Sequence, residues 1–232
     1  MSSRDNILGI IKNNQPSFRE LPPLPASPAA AAGTSGALPA PAAAPDSPAP
    51  QSRDTLAQKL VTALEAIGGA AYIVRDFDRI SRVLREKYPD AKRIVSNCPE
   101  LSIPHSGELP FAEKITGLED PHTLENIDLA ILPAHFGVAE NGACWITEDL
   151  MIERVVPFIC ENLALVIEKK NVVADMHEAY DRIASAAYGF GVFIAGPSKT
   201  ADIEQSLVLG AHGPRTMTLF LLDPEMSDEG FY

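Results

Sequence analysis

The sequence predicts one α/β domain with a mainly parallel sheet, preceded by a short helix and a flexible linker. From Asp54 onward, short apolar runs rich in β-branched residues alternate with helical patterns, and this order is typical of a parallel sheet. The 232 residues, 46% of them hydrophobic, can bury one full core. The composition is uneven along the chain, which favours one domain with an appended segment over two domains.

The residues before the domain divide into a helix and a linker. Residues 1–14 carry isoleucines and a leucine at helical spacing behind polar residues that can cap a helix, so they predict a short amphipathic helix. Residues 15–53 form the linker, and Pro, Ala, Ser and Gly dominate its stretch 22–52. Such a segment has little apolar surface to bury, which predicts a partly extended tether. The domain is assigned to residues 54–226 and a tail to residues 227–232.

Periodicity and turn residues define the helices and strands of the domain. The helix at 54–67 begins at Asp54 and ends before two glycines, and the helix at 176–188 begins after Asp175. The other predicted helices are 77–88 and 151–162, the latter broken near Pro157. The predicted strands are 70–74, 93–96, 127–132, 144–147, 163–168, 191–195 and 217–222.

Charge and hydropathy exclude several classes of function. The formal net charge is −12 and the sequence pI about 4.8, which argues against a surface for nucleic acid or for an anionic membrane. No apolar run reaches the length of a membrane span, and the N-terminal residues lack the pattern of a signal peptide. We therefore expect a cytoplasmic protein.

The three cysteines, Cys98, Cys144 and Cys160, are far apart in the sequence. Their odd number and wide spacing match neither a disulfide framework nor a CxxC metal site. An iron–sulfur cluster normally needs four thiolates. We therefore expect buried thiols and no cofactor on this chain.

Polar residues lie between two apolar runs near the end of the domain. The run at 191–195 is followed by Ser198, Lys199 and Thr200, which bring two hydroxyls and a cation to the end of a strand. The turn at 210–215 then adds His212 and Arg215. These residues are equally compatible with ordinary turns. The functional interpretation is an anion-binding site at a sheet edge, with Ser198, Lys199, Thr200 and Arg215 as ligands.

The loop at 133–142 is the second candidate, because it places a carboxylate beside a turn signal. Asn141-Gly142 between two strands is typical of a tight hairpin, and Glu140 directly precedes it. A tight turn can present one carboxylate as a catalytic base or nucleophile. The structural and the catalytic interpretations of Glu140 are compatible.

A metal site is a weaker alternative. Asp202, Glu204 and His212 supply suitable ligand types. The two acids at this spacing share a face only in a strand. We therefore expect no metal.

Residues 196–215 read GPSKTADIEQSLVLGAHGPR. This stretch resembles the C-terminal signature of the LUD-domain family, in its lactate-utilisation protein C (YkgG-like) branch. The likeness covers the opening helix and residues 55–224, but not the linker. It implies a sheet with helices on both faces, as in the group of NagB, ribose-5-phosphate isomerase and CoA-transferases.

The resemblance also implies a function and partners. Proteins of this branch belong to a cytoplasmic iron–sulfur system that oxidises L-lactate to pyruvate. The expected partners are iron–sulfur and Cys-rich subunits, which would carry the clusters, and a small carboxylate ligand. In this interpretation Lys199 and Arg215 bind the carboxylate and His212 contacts the proton of the hydroxyl.

The chain departs from the family at the hairpin. LUD proteins commonly have Thr-Gly-Thr or Thr-Gly-Ser after the glutamate, whereas Asn141, Gly142 and Ala143 follow Glu140 here. Glu-Asn-Gly is similar to the nucleophile motif of class I CoA-transferases. Two alternatives therefore stay open: an independent enzyme that uses Glu140 on a CoA-thioester or sugar-phosphate substrate, and a non-catalytic binding or regulatory module.

Glu140 and His212 are expected to meet in one pocket as the catalytic pair. Both follow predicted buried strands, and the carboxyl ends of parallel strands meet at one edge of a sheet. If the pocket is functional, Glu140→Gln and His212→Ala should abolish activity or ligand binding and change thermal stability little.

Overall fold

The computed structural model of the chain describes residues 52–101, 121–184, 186–203 and 206–226, all within one compact unit, Pro48–Tyr232. The predicted helix at 1–14, the linker up to residue 51 and the tail at 227–232 lie outside the described residues. No helix in the described ranges is long and apolar enough to cross a membrane.

Five strands form a parallel sheet, which confirms the predicted α/β fold. Across the sheet they lie in the order Ala70–Val74, Thr216–Leu222, Asn162–Glu168, Leu129–Pro133 and Ile94–Ser96. In chain order the described elements that build this sheet and the rest of the domain are α1 (Arg53–Ala66), β1 (Ala70–Val74), α2 (Phe77–Lys87), β2 (Ile94–Ser96), β3 (Leu129–Pro133), β4 (Phe136–Val138), β5 (Cys144–Thr147), α3 (Val156–Ile159), β6 (Asn162–Glu168), β7 (Val172–Val173), α4 (Met176–Ile183), β8 (Gly191–Ile194), β9 (Lys199–Ile203), β10 (Ser206–Leu209) and β11 (Thr216–Leu222).

Helices cover both faces of the parallel sheet because its central strands are apolar on both sides. α1 packs on one face and α2 on the other, each through its own apolar stripe. Successive residues of β6 alternate between the two cores: Leu163, Leu165 and Ile167 face α1, whereas Ala164 and Val166 face α2.

A second, four-stranded sheet has the order β7-β4-β5-β8 and lies over α1. β5 contributes side chains to the cores on both faces of this sheet. Cys144 and Ile146 join the core around α1, whereas Trp145 lies on the opposite face. On that opposite face α4 packs through Ala179 and Ile183. β9 and β10 form a separate antiparallel pair.

One buried polar contact connects α2 to the parallel sheet. The Tyr88 hydroxyl lies 2.8 Å from the Oγ1 atoms of both Thr216 and Thr218. Burial raises the pKa of Tyr88, against the effect of these two hydrogen bonds. The contact provides the fully buried Thr218 with a hydrogen-bond partner.

Three sequence predictions are corrected here. α1 starts one residue earlier than predicted, because Ser52 accepts a hydrogen bond from the amide of Thr55 and caps the helix. The predicted helix 151–162 is wrong, and only α3 is helical in that stretch. Ile152 has a φ of 69°, which interrupts a helix, and Pro157 lies in the first turn of α3. α4 ends at Ile183, before the predicted residue 188.

Candidate functional site

The β4–β5 hairpin positions Glu140, and its turn forms as the Asn-Gly signal predicts. The amide of Gly142 donates to the carbonyl of Val138, and the side chain of Asn141 accepts a hydrogen bond from the amide of Ala143. Gly142 has a φ of 75°, which favours glycine. Glu140 stands exposed on this turn.

The carboxylate of Glu140 binds the start of α4. Its Oε2 accepts a hydrogen bond of 3.0 Å from the amide of Met176, the first residue of that helix. Two further hydrogen bonds stabilise this helix start: the Asp175 side chain accepts from the amide of Glu178, and the Glu178 side chain accepts from the amide of Ala174, the residue before the N-cap. Glu140 therefore orients α4, a role that the sequence could not indicate.

Replacing Glu140 with alanine is expected to lower the free energy of unfolding by about 1 kcal/mol, because the amide of Met176 loses its acceptor. Glu140→Gln should keep most of that stability, since an amide oxygen can accept the same bond. Urea titration of both variants measures the difference. If the alanine variant unfolds like the wild type, the contact with Met176 does not stabilise α4.

The turn at 210–215 and Ser198 do come together. The amide of Ser198 donates to the carbonyl of Pro214 at 2.8 Å, and the amide of Gly210 donates to the carbonyl of Ser198 at 3.0 Å. Gly213 lies directly against the Ser198 side chain. Two of the predicted candidate segments therefore form one local structure.

The surroundings of Lys199, His212 and Arg215 are largely those of surface turns. Arg215 forms an ion pair of 3.1 Å with Glu161, and both side chains are exposed. Lys199 reaches Gly68, just past the end of α1, where a cation is favoured by the helix dipole. His212 is exposed on the turn. Thr200 lies in β9, so the predicted loop is partly strand.

The reasoning that Glu140 and His212 share a sheet edge is corrected by the topology. The strand at 191–194 belongs to the four-stranded sheet and not to the parallel sheet that contains β3. His212 precedes β11 and therefore lies at the amino edge of the parallel sheet, opposite to the expected carboxyl edge. Glu140 lies on the hairpin of the other sheet. That Glu140 and His212 meet in one pocket stays a prediction, and a shared sheet edge no longer supports it.

Two ligands of the alternative metal site fall outside the described side chains. The side chains of Asp202 and Glu204 lie outside the described residues, so the alternative site with His212 stays untested. Within the described part of the chain, no group of three or more His, Cys, Asp or Glu side chains is arranged to hold a metal ion.

All three cysteines are buried free thiols, as the sequence predicted. Burial raises the pKa of Cys98, Cys144 and Cys160 to about 12 in each case. The thiols are therefore protonated at neutral pH and poorly suited to nucleophilic chemistry.

A cavity of about 650 Å³ opens between the four-stranded sheet, the end of α4 and the segment that follows it. This volume lies in the range of small-molecule sites. Polar side chains from different elements line it together with aromatic ones. Its polar or part-polar lining includes His135, Thr147, Asp149, Asn171, Arg182 and Tyr188.

Inside the cavity a hydrogen-bond chain connects an imidazole to a carboxylate. Thr147 donates its hydroxyl proton to Oδ1 of Asp149, and its oxygen lies 2.5 Å from Nε2 of His135. Since the Thr147 proton goes to Asp149, its oxygen accepts from Nε2–H of His135. The neutral imidazole then presents the lone pair of Nδ1.

That Nδ1 atom is accessible to a ligand. Within the described residues, every fully buried side-chain nitrogen or oxygen has a hydrogen-bond partner. The side-chain contact of His135 is the one that Nε2 makes with Thr147. Nδ1 is therefore not fully buried, and His135 is one of the residues that line the cavity.

A positioned guanidinium stands at the same cavity. Arg182 donates from Nη2 to the side-chain oxygen of Asn171 at 3.2 Å, and its Cζ lies 4.9 Å from the ring centroid of Phe136. The stacking and the single hydrogen bond fix the plane of the guanidinium. Other N–H donors of Arg182 are left for a ligand, because no carboxylate of the described residues is in ion-pair distance.

The loop at 133–142 contains His135 and was a predicted candidate, but His135 itself was not among the predicted site residues. Its signal was available: the Asn-Gly turn fixes a register in which Phe136 opposes Trp145, so His135 lies beside the end of β5. Arg182 gave no such signal, since an arginine in an amphipathic helix is usually a solvated side chain.

These observations define an α/β protein in which a parallel sheet is combined with a small mixed sheet, and a cavity with polar lining opens beside the mixed sheet. The family model of the LUD domain matches residues 57–222. The chain belongs to the LUD-domain family.

Several relatives share the name lactate utilization protein C. The one from Bacillus pumilus is 34% identical over 113 residues, which are 44% of this chain and 47% of the relative. The one from Geobacillus kaustophilus is 26% identical over 170 residues, or 68% of this chain and 65% of the relative. The chain thus spans about half the length of the first of these relatives.

A solved structure has a similar fold. It is a DUF162 family protein from Deinococcus radiodurans, with a TM-score of 0.55 and 14% sequence identity. The superposition covers 75% of this chain and 100% of that one. At this level of identity, the similarity concerns the fold alone.

Proposed function

We propose that this chain serves in lactate utilisation, as a subunit that works with iron–sulfur and Cys-rich proteins in the oxidation of L-lactate to pyruvate. The observation that carries the proposal is the match to several relatives named lactate utilization protein C. The LUD-domain match over residues 57–222 supports it.

The clusters are proposed to reside on the partners. An iron–sulfur cluster normally needs four thiolates, and this chain has three cysteines. All three are buried, and their raised pKa values disfavour the thiolate form that binds iron. The chain therefore depends on other subunits for electron transfer.

The carboxylate site of this proposal is the group around the turn at 210–215. Lys199 and Arg215 supply positive charge, and Ser198 and Thr200 supply hydroxyls. His212 contacts the ligand's hydroxyl proton, and Glu140 is the second catalytic candidate. The two backbone hydrogen bonds between Ser198 and the turn support a preorganised group. The ion pair of Arg215 with Glu161 must open for Arg215 to bind an anion.

Deleting the gene from the organism that encodes it tests this function. We expect growth on L-lactate as the carbon source to be lost and growth on pyruvate to be unchanged, with recovery when the wild-type gene is restored. A tagged chain should co-purify with proteins that contain iron and sulfide, whereas the isolated chain should be colourless with less than stoichiometric iron. Normal growth of the deletion strain on L-lactate would contradict the proposal.

An independent enzyme is the second candidate, favoured by Glu140-Asn141-Gly142 in place of the family's usual hairpin residues. Turnover of a CoA-thioester or a sugar phosphate by the isolated chain, abolished in Glu140→Gln, would support it. A third candidate is a non-catalytic regulatory module. It predicts that the isolated chain binds a ligand and that neither the wild type nor Glu140→Gln turns it over.

A further inference from the structure

We propose that the cavity lined by His135 and Arg182 is a binding site for a small carboxylate that carries a hydroxyl or carbonyl group on the neighbouring carbon. Arg182 binds the carboxylate and His135 binds the neighbouring oxygen. Thr147 and Asp149 are positioning residues for His135. This site is separate from the group around the turn at 210–215, and only the choice of L-lactate as a probe rests on the proposed function.

The charge of the ligand follows from Arg182. A guanidinium binds a carboxylate through two parallel hydrogen bonds when its plane is fixed and its donors are open. The Phe136 ring and the Asn171 side chain fix the plane. Lysine would not reproduce this geometry, since its ammonium is a point charge.

The second group of the ligand follows from His135. Its Nε2 is engaged by Thr147, so Nδ1 is the ring nitrogen left for a ligand of the cavity that His135 lines. A neutral imidazole accepts at Nδ1 from a ligand hydroxyl, and a protonated one donates from Nδ1 to a ligand carbonyl. One site therefore accommodates both a hydroxy acid and the corresponding keto acid.

The remaining lining favours a polar organic ligand. Trp145 is 6% exposed and Phe136 is 1% exposed, so their ring faces are covered and do not offer a stacking surface. Tyr188 is 44% exposed, lies edge-on to Trp145 and closes one side of the cavity. The backbone after α4 is tied to the sheet, since the amide of Gly189 donates to Glu148.

Glu140 contributes indirectly. It holds the first residue of α4, and Arg182 lies near the end of that helix. The helix thus connects the hairpin turn at one end of the small sheet to the cavity at the other.

Calorimetric titration of the full chain with L-lactate, pyruvate, acetate and inorganic phosphate tests the site. We expect L-lactate and pyruvate to bind more tightly than acetate, which lacks the second oxygen group, and than phosphate. Arg182→Gln should weaken the Kd for every carboxylate by about tenfold or more, the usual effect of losing a hydrogen bond to a charged group. Equal binding of phosphate and L-lactate, or no carboxylate binding at millimolar concentration, would overturn the proposal.

His135→Gln should remove the preference for L-lactate over acetate while leaving acetate binding almost unchanged. Thr147→Val should reduce the preference for L-lactate over acetate more weakly, and it should change the tautomer pattern of His135 in nitrogen NMR spectra. Thr147→Ser should restore both the preference and the tautomer pattern. His177→Gln, an exposed histidine on α4, is the matched control and should have no effect. An unchanged L-lactate preference in folded His135→Gln would remove His135 from the site.

Arg215→Gln distinguishes the two carboxylate sites, because Arg182 and Arg215 are both exposed arginines. A component of L-lactate binding that is lost in Arg182→Gln and kept in Arg215→Gln supports the cavity, whereas a component lost in Arg215→Gln belongs to the turn group. Loss of L-lactate binding in Arg215→Gln with none in Arg182→Gln contradicts the cavity and supports the turn group. A different result would contradict the proposed function, namely normal growth of the deletion strain on L-lactate. That result would not change the interpretation of the binding measurements.

Discussion

Replacing Gly142 with alanine is expected to lower the free energy of unfolding by about 3 kcal/mol. Gly142 has a φ of 75°, and for a residue with a side chain that conformation costs about 1–2 kcal/mol. An added Cβ would also lie 2.8 Å from the amide nitrogen and 2.9 Å from the Cα of Leu64. These are backbone atoms of α1, so the helix or the hairpin must move, at a further cost of about 1–3 kcal/mol.

Urea unfolding of Gly142→Ala and Gly68→Ala separates the two causes. Gly68 has a φ of 87°, but its added Cβ would lie at an ordinary 3.4 Å from the flexible end of Lys199. This control should lose only about 1–2 kcal/mol, from the backbone conformation alone. Equal losses in the two variants would mean that the hairpin does not press against α1.

The stability of the protein is expected to fall steeply above pH 9. Burial raises the pKa of all three thiols from the ordinary 9.0 to about 12, so between these values the unfolded chain releases protons that the folded chain retains. The unfolded state is therefore favoured as pH rises, by up to about 1.4 kcal/mol per pH unit for each thiol. For three thiols the slope approaches about 4 kcal/mol per pH unit, large compared with a total of about 5–15 kcal/mol for a typical domain.

Urea titrations at pH 8, 9 and 10 measure this slope, and thiol labelling at pH 8 gives a second measurement. At that pH the folded thiols should react about a thousandfold more slowly than those of the urea-unfolded chain. Cys144→Ala is the control, and it should remove about a third of the slope. A flat stability profile up to pH 11 would mean that water reaches the thiols in the folded state.

The sequence predicted where the helices and strands lie better than it predicted which strands pair with each other. β1 and β5 have the predicted bounds, because each is a short apolar run between turn residues. α4 begins after Asp175 as predicted, because an N-cap is a local signal. β3 and β8 look alike as sequences, yet they belong to different sheets. Burial preference is encoded locally, whereas strand pairing depends on the packing of the whole chain.

The candidate site was predictable only where one turn determines it. Asn141-Gly142 indicated the hairpin, and the hairpin register brings His135 to Thr147. Met176, whose amide donates to Glu140, lies 36 residues further along the chain, so this hydrogen bond could not be predicted from the local sequence. The same holds for Arg182, whose contact with Phe136 exists only because α4 crosses the small sheet.

Both acids that bind Lys169 lie just outside the limits of the family match, which affects how the domain can be shortened. The ammonium of Lys169 binds Asp223 at 2.6 Å and also Asp54, and the hydrogen bonds that it donates to Asp223 and then to Asp54 raise the pKa of Lys169. The family match runs from residue 57 to residue 222, so it leaves out both acids. A chain cut at those limits would keep a lysine side chain that is only 18% exposed and would remove both of its counterions. A shortened chain that keeps Asp54 and Asp223 is therefore expected to be more stable than one cut at the limits of the family match.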